Sequence, residues 1–197
     1  MYNIEKTIKN LESRGFAVSH FSSAAEAADY IAASVKGCTV GMGGSMTLKE
    51  LGLYERLKKE NSVFWHWVVP GRETLDKAQT ADIYISSANA ISEDGEILNI
   101  DGNGNRVSSL LFGHRKVYIL AGVNKIAPDF DAALFRARNE AAVKNCARLN
   151  KNTPCQLDGK CHDCRSAERI CRGLVVLWMA MSGMETEVVL IDENLGM

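Results

Sequence analysis

Cys155, Cys161, Cys164 and Cys171 stand in the spacing C-x5-C-x2-C-x6-C. Four thiolates within tetrahedral reach suit a structural zinc ion or the corners of an iron–sulfur cluster. The spacing matches neither the bacterial nor the plant-type ferredoxin pattern. Zinc would ask only for closed coordination, whereas a cluster would imply electron transfer or sensing. His162 and Asp163 lie inside the C-x-x-C step and read as supporting or exposed groups rather than ligands. Lys160, Arg165, Arg169 and Arg172 would offset the charge of a tetrathiolate. A redox dithiol, a disulfide pair and plain buried thiols are the competing readings. Cys38 reads as a core thiol in a strand, and Cys146 lies on a helix.

A second concentration of chemistry runs from Ser87 to Val107. The apolar pairs Ala90-Ile91 and Ile97-Leu98 flank Asp94-Gly95, a strong hairpin signal because the pair tolerates the positive φ of a tight turn. Asp101-Gly102-Asn103-Gly104-Asn105-Arg106 follows, too polar and glycine-rich for a strand. Such a string offers backbone N–H groups and short side chains to an anion or polyol, and Arg106 adds a fork for phosphate or carboxylate. Pure turn chemistry is the alternative, with Asn105 capping a short helix from Arg106 to Phe112.

Gly41-Met42-Gly43-Gly44-Ser45-Met46-Thr47 leaves the apolar strand Cys38–Gly41 and leads into a helix expected to run through Leu57. Strand, glycine turn and helix is where open parallel sheets bind anions. It is neither a Walker A loop nor a full dinucleotide fingerprint, so a structural turn stands beside the ligand loop. Lys125 sits just past the strand Lys116–Ala121, where functional groups collect in such sheets; a solvated surface lysine is the plainer reading. His66 falls inside Ser62–Val69, read as one strand, and there a satisfied core or groove histidine competes with a base.

The elements that must position these residues alternate. Asn3 caps a helix carrying Ile4, Ile8 and Leu11 that Gly15 ends; a strand spans Phe16 to Phe21. Ser22 and Ser23 open a helix with Ala24, Ala27, Ala28, Ile31 and Val35 on its buried side, stopped by Gly37. A short helix from Arg72 to Gln79 precedes the strand Asp82–Ser86. Pro128 and Asp129 open a helix to about Leu149, with Leu134, Ala137 and Ala141 buried and Arg136 and Arg138 pointing apart. Leu174–Met181 and Thr186–Asp192 read as two late strands, with a hairpin as one arrangement and a helix as the alternative for the first. The alternation predicts α/β with an open, mostly parallel sheet flanked by helices.

With 197 residues, 46% hydrophobic and 24% charged, the chain is expected to be one soluble domain over 1–197, with a cysteine-rich metal-binding loop over 151–173. A net charge of -1 and no basic stripe argue against nucleic acid as a partner. The N-terminus lacks an apolar h-region, and the run Gly173–Met181 is too short to span a bilayer, so a cytoplasmic protein without a membrane partner is expected. In a reducing compartment six cysteines read as thiols or metal ligands before disulfides. Apolar strands near the C-terminus allow a homo-oligomer.

Asn89-Ala90-Ile91 with Asp94-Gly95, Asn99, Gly102–Arg106, Gly122-Val123-Asn124-Lys125, and Thr153-Pro154-Cys155 with Cys161, Cys164 and Cys171 together resemble the LUD domain, the lactate-utilisation family. The resemblance spans nearly the whole chain and is densest from Ser86 to Cys171. It implies a fold similar to the ribose-5-phosphate isomerase, glucosamine-6-phosphate deaminase and CoA-transferase group, with ligands at strand C-termini. It implies that Gly41, Gly43, Gly44 and Ser45 form a phosphate or pyrophosphate loop. Asn89, Asp94, Gly95, Asn99, Gly102, Asn103, Gly104, Asn105 and Arg106 would form the facing wall. It further implies a part in oxidising L-lactate to pyruvate, a small anionic or phosphorylated ligand, and iron–sulfur partner proteins. No glutamate stands where a CoA transferase keeps its own, since Glu93 falls in a turn, and of an isomerase pattern only Lys125 remains.

Overall fold

The computed structural model describes residues 2–197. The order is α1 (Ile4–Ser13), β1 (Ala17–Phe21), α2 (Ala24–Ser34), β2 (Thr39–Met42), α3 (Met46–Glu50), α4 (Leu53–Leu57), β3 (Ser62–Trp65), α5 (Arg72–Gln79), β4 (Ile83–Ser87), β5 (Ala90–Ser92), β6 (Ile97–Asp101), α6 (Asn105–Leu111), β7 (Lys116–Gly122), β8 (Ile126–Ala127), α7 (Phe130–Arg136), α8 (Ala142–Arg148), α9 (Cys155–Asp158), β9 (Gly173–Leu177) and β10 (Glu185–Ile191). Six strands form one sheet in the order β1-β10-β7-β4-β2-β3, every pair parallel. A second, smaller sheet has the order β8-β5-β6-β9, and its β5 follows β4 directly in the chain.

Parallel strands covered on both faces need apolar residues at consecutive positions. In β10, Val188 and Leu190 join the core that holds Leu11, Tyr84 and Leu110, while Val189 and Ile191 join the core on the other face with Ile31, Leu48 and Leu57. A third cluster, Ala90, Leu98, Ala127, Ala133 and Ala137, lies between the small sheet and α7. The helix starts behave as their sequence suggests. Asn3 accepts the Lys6 N–H at 2.9 Å, and Ser23 with Glu26 forms a complete capping box.

The structure departs from the sequence reading at five places. The helix expected from Met46 to Leu57 breaks into two at Gly52, whose backbone is left-handed. The strand expected to reach Val69 ends at Trp65, because its one partner, β2, ends at Met42; His66 and Trp67 lie in the turn that follows. The late strands are not a hairpin, since β9 pairs with β6 while β10 inserts between β1 and β7. The long helix after Asp129 contains a π turn at Ala137–Ala141 between α7 and α8. Helix α6 is capped by Asp101, not Asn105. From Leu149 to Arg172 the backbone is loop apart from α9.

Candidate functional site

Three neighbouring central strands, β2, β4 and β7, end on one rim of the large sheet. The loops that leave them carry Gly43-Gly44-Ser45, Ser87-Ala88-Asn89 and Val123-Asn124-Lys125. Ends of adjacent parallel strands are where open α/β sheets form ligand crevices. A cavity of about 490 Å³ opens there, walled by Gly44, Ser45, Thr47, Ser87, Asn89, Gly102, Asn103, Asn105, Arg106 and Lys125, and rimmed by His66, Trp67, Asn145, Arg148, Lys151 and Cys171.

Lys125 lies in the wall of this cavity. Only 3% of the residue is exposed, and its Nζ donates to Ser87 Oγ at 2.6 Å and Thr47 Oγ1 at 2.8 Å. Among the described residues no carboxylate forms an ion pair with it. Burial, reinforced by the charges of Arg136 and Arg106 and opposed by Glu50, pushes its amine down to about 7. The short turn Val123–Lys125 after β7 fixes the lysine: Leu195 N–H donates to Asn124 Oδ1 at 3.0 Å, and Arg136 Nε donates to Asn124 O at 2.8 Å.

Arg106 reaches the same point from α6. Its Nη1 donates to Ser87 O at 3.1 Å and to Asn99 Oδ1; its Nη2 donates to Ile100 O at 2.7 Å and Asn89 Oδ1 at 3.0 Å. Four of its five N–H bonds are thus spent on neutral oxygens, which aim the guanidinium without cancelling its charge. Gly43 is needed for that approach: a Cβ there would meet Ser86 Oγ at 2.9 Å and the Arg106 side chain at 3.1 Å. The 101–106 stretch works otherwise than its composition suggests. Its amides are filled by the chain's own carboxylate, with Asp101 accepting the N–H groups of Gly102 (2.7 Å), Asn103 (3.2 Å), Arg106 (3.1 Å) and Val107 (3.2 Å). Asp101 therefore organises the turn, and the positive charge facing the cavity comes from side chains.

The outer wall is aromatic and basic. Trp67 stacks on Trp65 at 5.6 Å, and the Arg148 guanidinium lies 4.7 Å from the Trp67 ring. Trp65 Nε1 donates to Gly43 O at 3.1 Å, tying this stack to the glycine loop. Burial pushes His66 below its ordinary value, with Asp101 opposing. Trp67, Arg148, Lys151 and Asn145 carry no motif, and nothing in the sequence marks them. Thr47 and Ser87 could have been noticed as hydroxyls at the start of the helix after one strand and at the end of another.

Other expected wall residues lie elsewhere. Asp94 and Gly95 form the β5–β6 turn and pack on α1: Arg14 Nε donates to Asp94 O at 2.6 Å, and Lys6 pairs with Asp94 at 2.8 Å. Glu93 accepts the Asn3 N–H at 2.7 Å in that joint. Asn99 holds Arg106 without lining the cavity; Gly41 is a strand residue of β2 packed too closely on Ala78 for a side chain, and Gly104 is a turn with a left-handed backbone. Arg136 and Arg138 do point apart, Arg136 inward to Asn124 and Asn89, Arg138 outward to Asp163 at 3.2 Å.

Cys146 of α8 has Cys155 and Cys171 of the following loop beside it, whereas Cys161 lies apart from them against Arg138. Cys146 Sγ and Cys155 Sγ each lie 3.2 Å from Thr153 Oγ1, while Cys161 Sγ accepts from Arg138 at 3.7 Å. His162 bonds Asp158 at 2.9 Å. Among the described residues no three His, Cys, Asp or Glu side chains gather as a group able to hold a metal ion, and all six cysteines are free thiols. As arranged, Cys155, Cys161, Cys164 and Cys171 do not fit a closed zinc or iron–sulfur site. No helix among the described residues is long and apolar enough to cross a membrane.

A family model described as the LUD domain matches residues 4–191. A DUF162 family protein from Deinococcus radiodurans, solved by crystallography, superposes with a TM-score of 0.58 at 14% identity over 95% of both chains. Ribose 5-phosphate isomerase A from Neisseria gonorrhoeae is a partial match, with a TM-score of 0.36 and 16% identity over 53% of each chain. No curated protein matches in sequence.

Proposed function

The chain belongs to the LUD domain family, and from that premise we propose that it serves lactate utilisation by holding a small anionic ligand at the rim of its sheet. The step served is oxidation of L-lactate to pyruvate, and the ligand is one of these two acids or another small anionic or phosphorylated compound. The observation that carries the reading is charge without a counter-charge: Lys125 and Arg106 both bond to Ser87, and among the described residues neither forms an ion pair with a carboxylate. A buried cation that no acid neutralises favours an anion from outside. A volume of about 490 Å³ lies in the usual range for small-molecule pockets and admits more than a three-carbon acid.

A thermal-shift panel of L-lactate, pyruvate, sugar phosphates and CoA tests this, because a ligand that binds only the folded chain raises its melting temperature. Lactate or pyruvate should raise it, and Arg106→Ala should abolish the shift. A chain that no anion in the panel stabilises would overturn the proposal. A shift from CoA or sugar phosphates alone would transfer the cavity to a different substrate class.

A further inference from the structure

We infer that Lys125 is a nucleophile that forms a reversible imine with the carbonyl of a short 2-oxo acid, a role that presupposes the anion seat proposed above. Geometry points first to the amine. Its two hydrogen bonds go to hydroxyl oxygens, Ser87 Oγ at 2.6 Å and Thr47 Oγ1 at 2.8 Å, and each hydroxyl has an acceptor of its own. Thr47 Oγ1 donates to Leu195 O at 3.3 Å, and Ser87 Oγ donates to Thr47 Oγ1 at 3.4 Å or to Ala88 O at 3.5 Å. A neutral amine has two hydrogens, so this pair of bonds uses both and leaves the lone pair unengaged. The Leu195-Gly196 segment packs over the amine and keeps the residue out of bulk water.

Three charged groups act on that amine from three elements: Arg106 of α6, Arg136 of α7 and Glu50 of α3. The two guanidinium groups and burial disfavour the ammonium form, the arrangement that activates lysines for carbonyl addition. Arg106 also supplies the second contact a 2-oxo acid needs. It lines the same cavity as the amine and is anchored to the carbonyl of Ser87, the residue whose hydroxyl holds the amine, so its charge is at hand for the carboxylate while the amine meets the ketone.

The chemistry closes without an added reactant. The nitrogen lone pair adds to the ketone carbon while the carbonyl π pair moves onto oxygen. That oxygen takes up a proton, and the nitrogen releases one through the Ser87 or Thr47 hydroxyl. The carbinolamine then expels the oxygen as water as nitrogen and carbon form their double bond. Both hydrogens of the water originate on nitrogen, and no net oxidation occurs.

Borohydride trapping on the full chain with pyruvate as the probe tests the step. Peptide mass mapping should find a reduced pyruvyl adduct at Lys125 that requires both pyruvate and borohydride. L-lactate, which has no carbonyl, should give none. Lys125→Arg keeps the charge and should lose the adduct; Ser87→Ala should slow its formation several-fold. Adduct formation should accelerate as pH rises through about 7, while simple anion binding weakens over the same range. If pyruvate raises the melting temperature and no Lys125 adduct is trapped at any pH, the imine is wrong and the anion seat stands. If pyruvate is not trapped and neither it nor any other anion of the panel shifts melting, both fail.

Discussion

At the scale of single residues, the account turns on Lys125 and Arg106, which the sequence marks by place, one just past a strand end and the other closing a polar, glycine-rich run. A lysine past a strand end says nothing by itself about burial; that follows from the chain's last turn packing over it, a contact between residues far apart in sequence. Its lowered pKa makes a linkage prediction. The unfolded chain keeps the ordinary lysine value, so above about 7 it binds the extra proton and the folded chain does not. Stability of the unliganded protein should therefore rise with pH from about 7 toward the ordinary lysine range, as seen in urea melts. Lys125→Met should flatten that slope, and a slope unchanged by the substitution would place the amine in water. Arg106→Ala removes four donors from Ser87, Asn99, Asn89 and Ile100, and should cost about 2–4 kcal/mol in chemical denaturation besides the ligand shift. A loss below about 0.5 kcal/mol would mean that these bonds are not formed in solution.

At the scale of elements, capping and periodicity gave away most of the helices and parallel strands, because those signals are local: Asn3, Ser23 and Asp129 cap where they stand. What could not be read depends on partners. The length of β3 is set by where β2 stops, and the pairing of β9 and β10 is set by open strand edges in two different sheets. The Gly102 turn is a junction of the same kind. Arg172 N–H donates to Asp101 O at 2.9 Å, and a Cβ on Gly102 would meet Ile170 O at 2.7 Å. Gly102→Ala should thus cost about 1–3 kcal/mol and speed proteolysis of the cysteine-bearing loop. Unaltered stability and protection would mean that the loop and the turn do not touch. The loop's own thiols do not converge, so changing Cys161 and Cys164 together to Ser should move stability by less than about 1 kcal/mol. A collapse in melting temperature, with loss of bound metal from the native protein, would show the four sulfurs closing on an ion.

At the scale of the whole molecule, the six-stranded parallel sheet brings the tips of β2, β4 and β7 together, so that a glycine loop, a serine and a lysine meet although more than eighty positions separate the first from the last. The fold class was legible because alternating elements leave few arrangements for a parallel sheet. The cavity was legible only in its inner half; the Trp67–Arg148 wall arises from packing of α8 against the turn after β3. The central claim is that this rim seats an anion through a cation that titrates near neutrality. Calorimetric titration of L-lactate, which has no carbonyl to react, into the full chain at about pH 6 and about pH 8.5 tests it most directly. Binding should be tighter at the lower pH, with proton uptake, and absent in Arg106→Ala. Equal affinity at both pH values without proton uptake, or heat unchanged by the substitution, would contradict it.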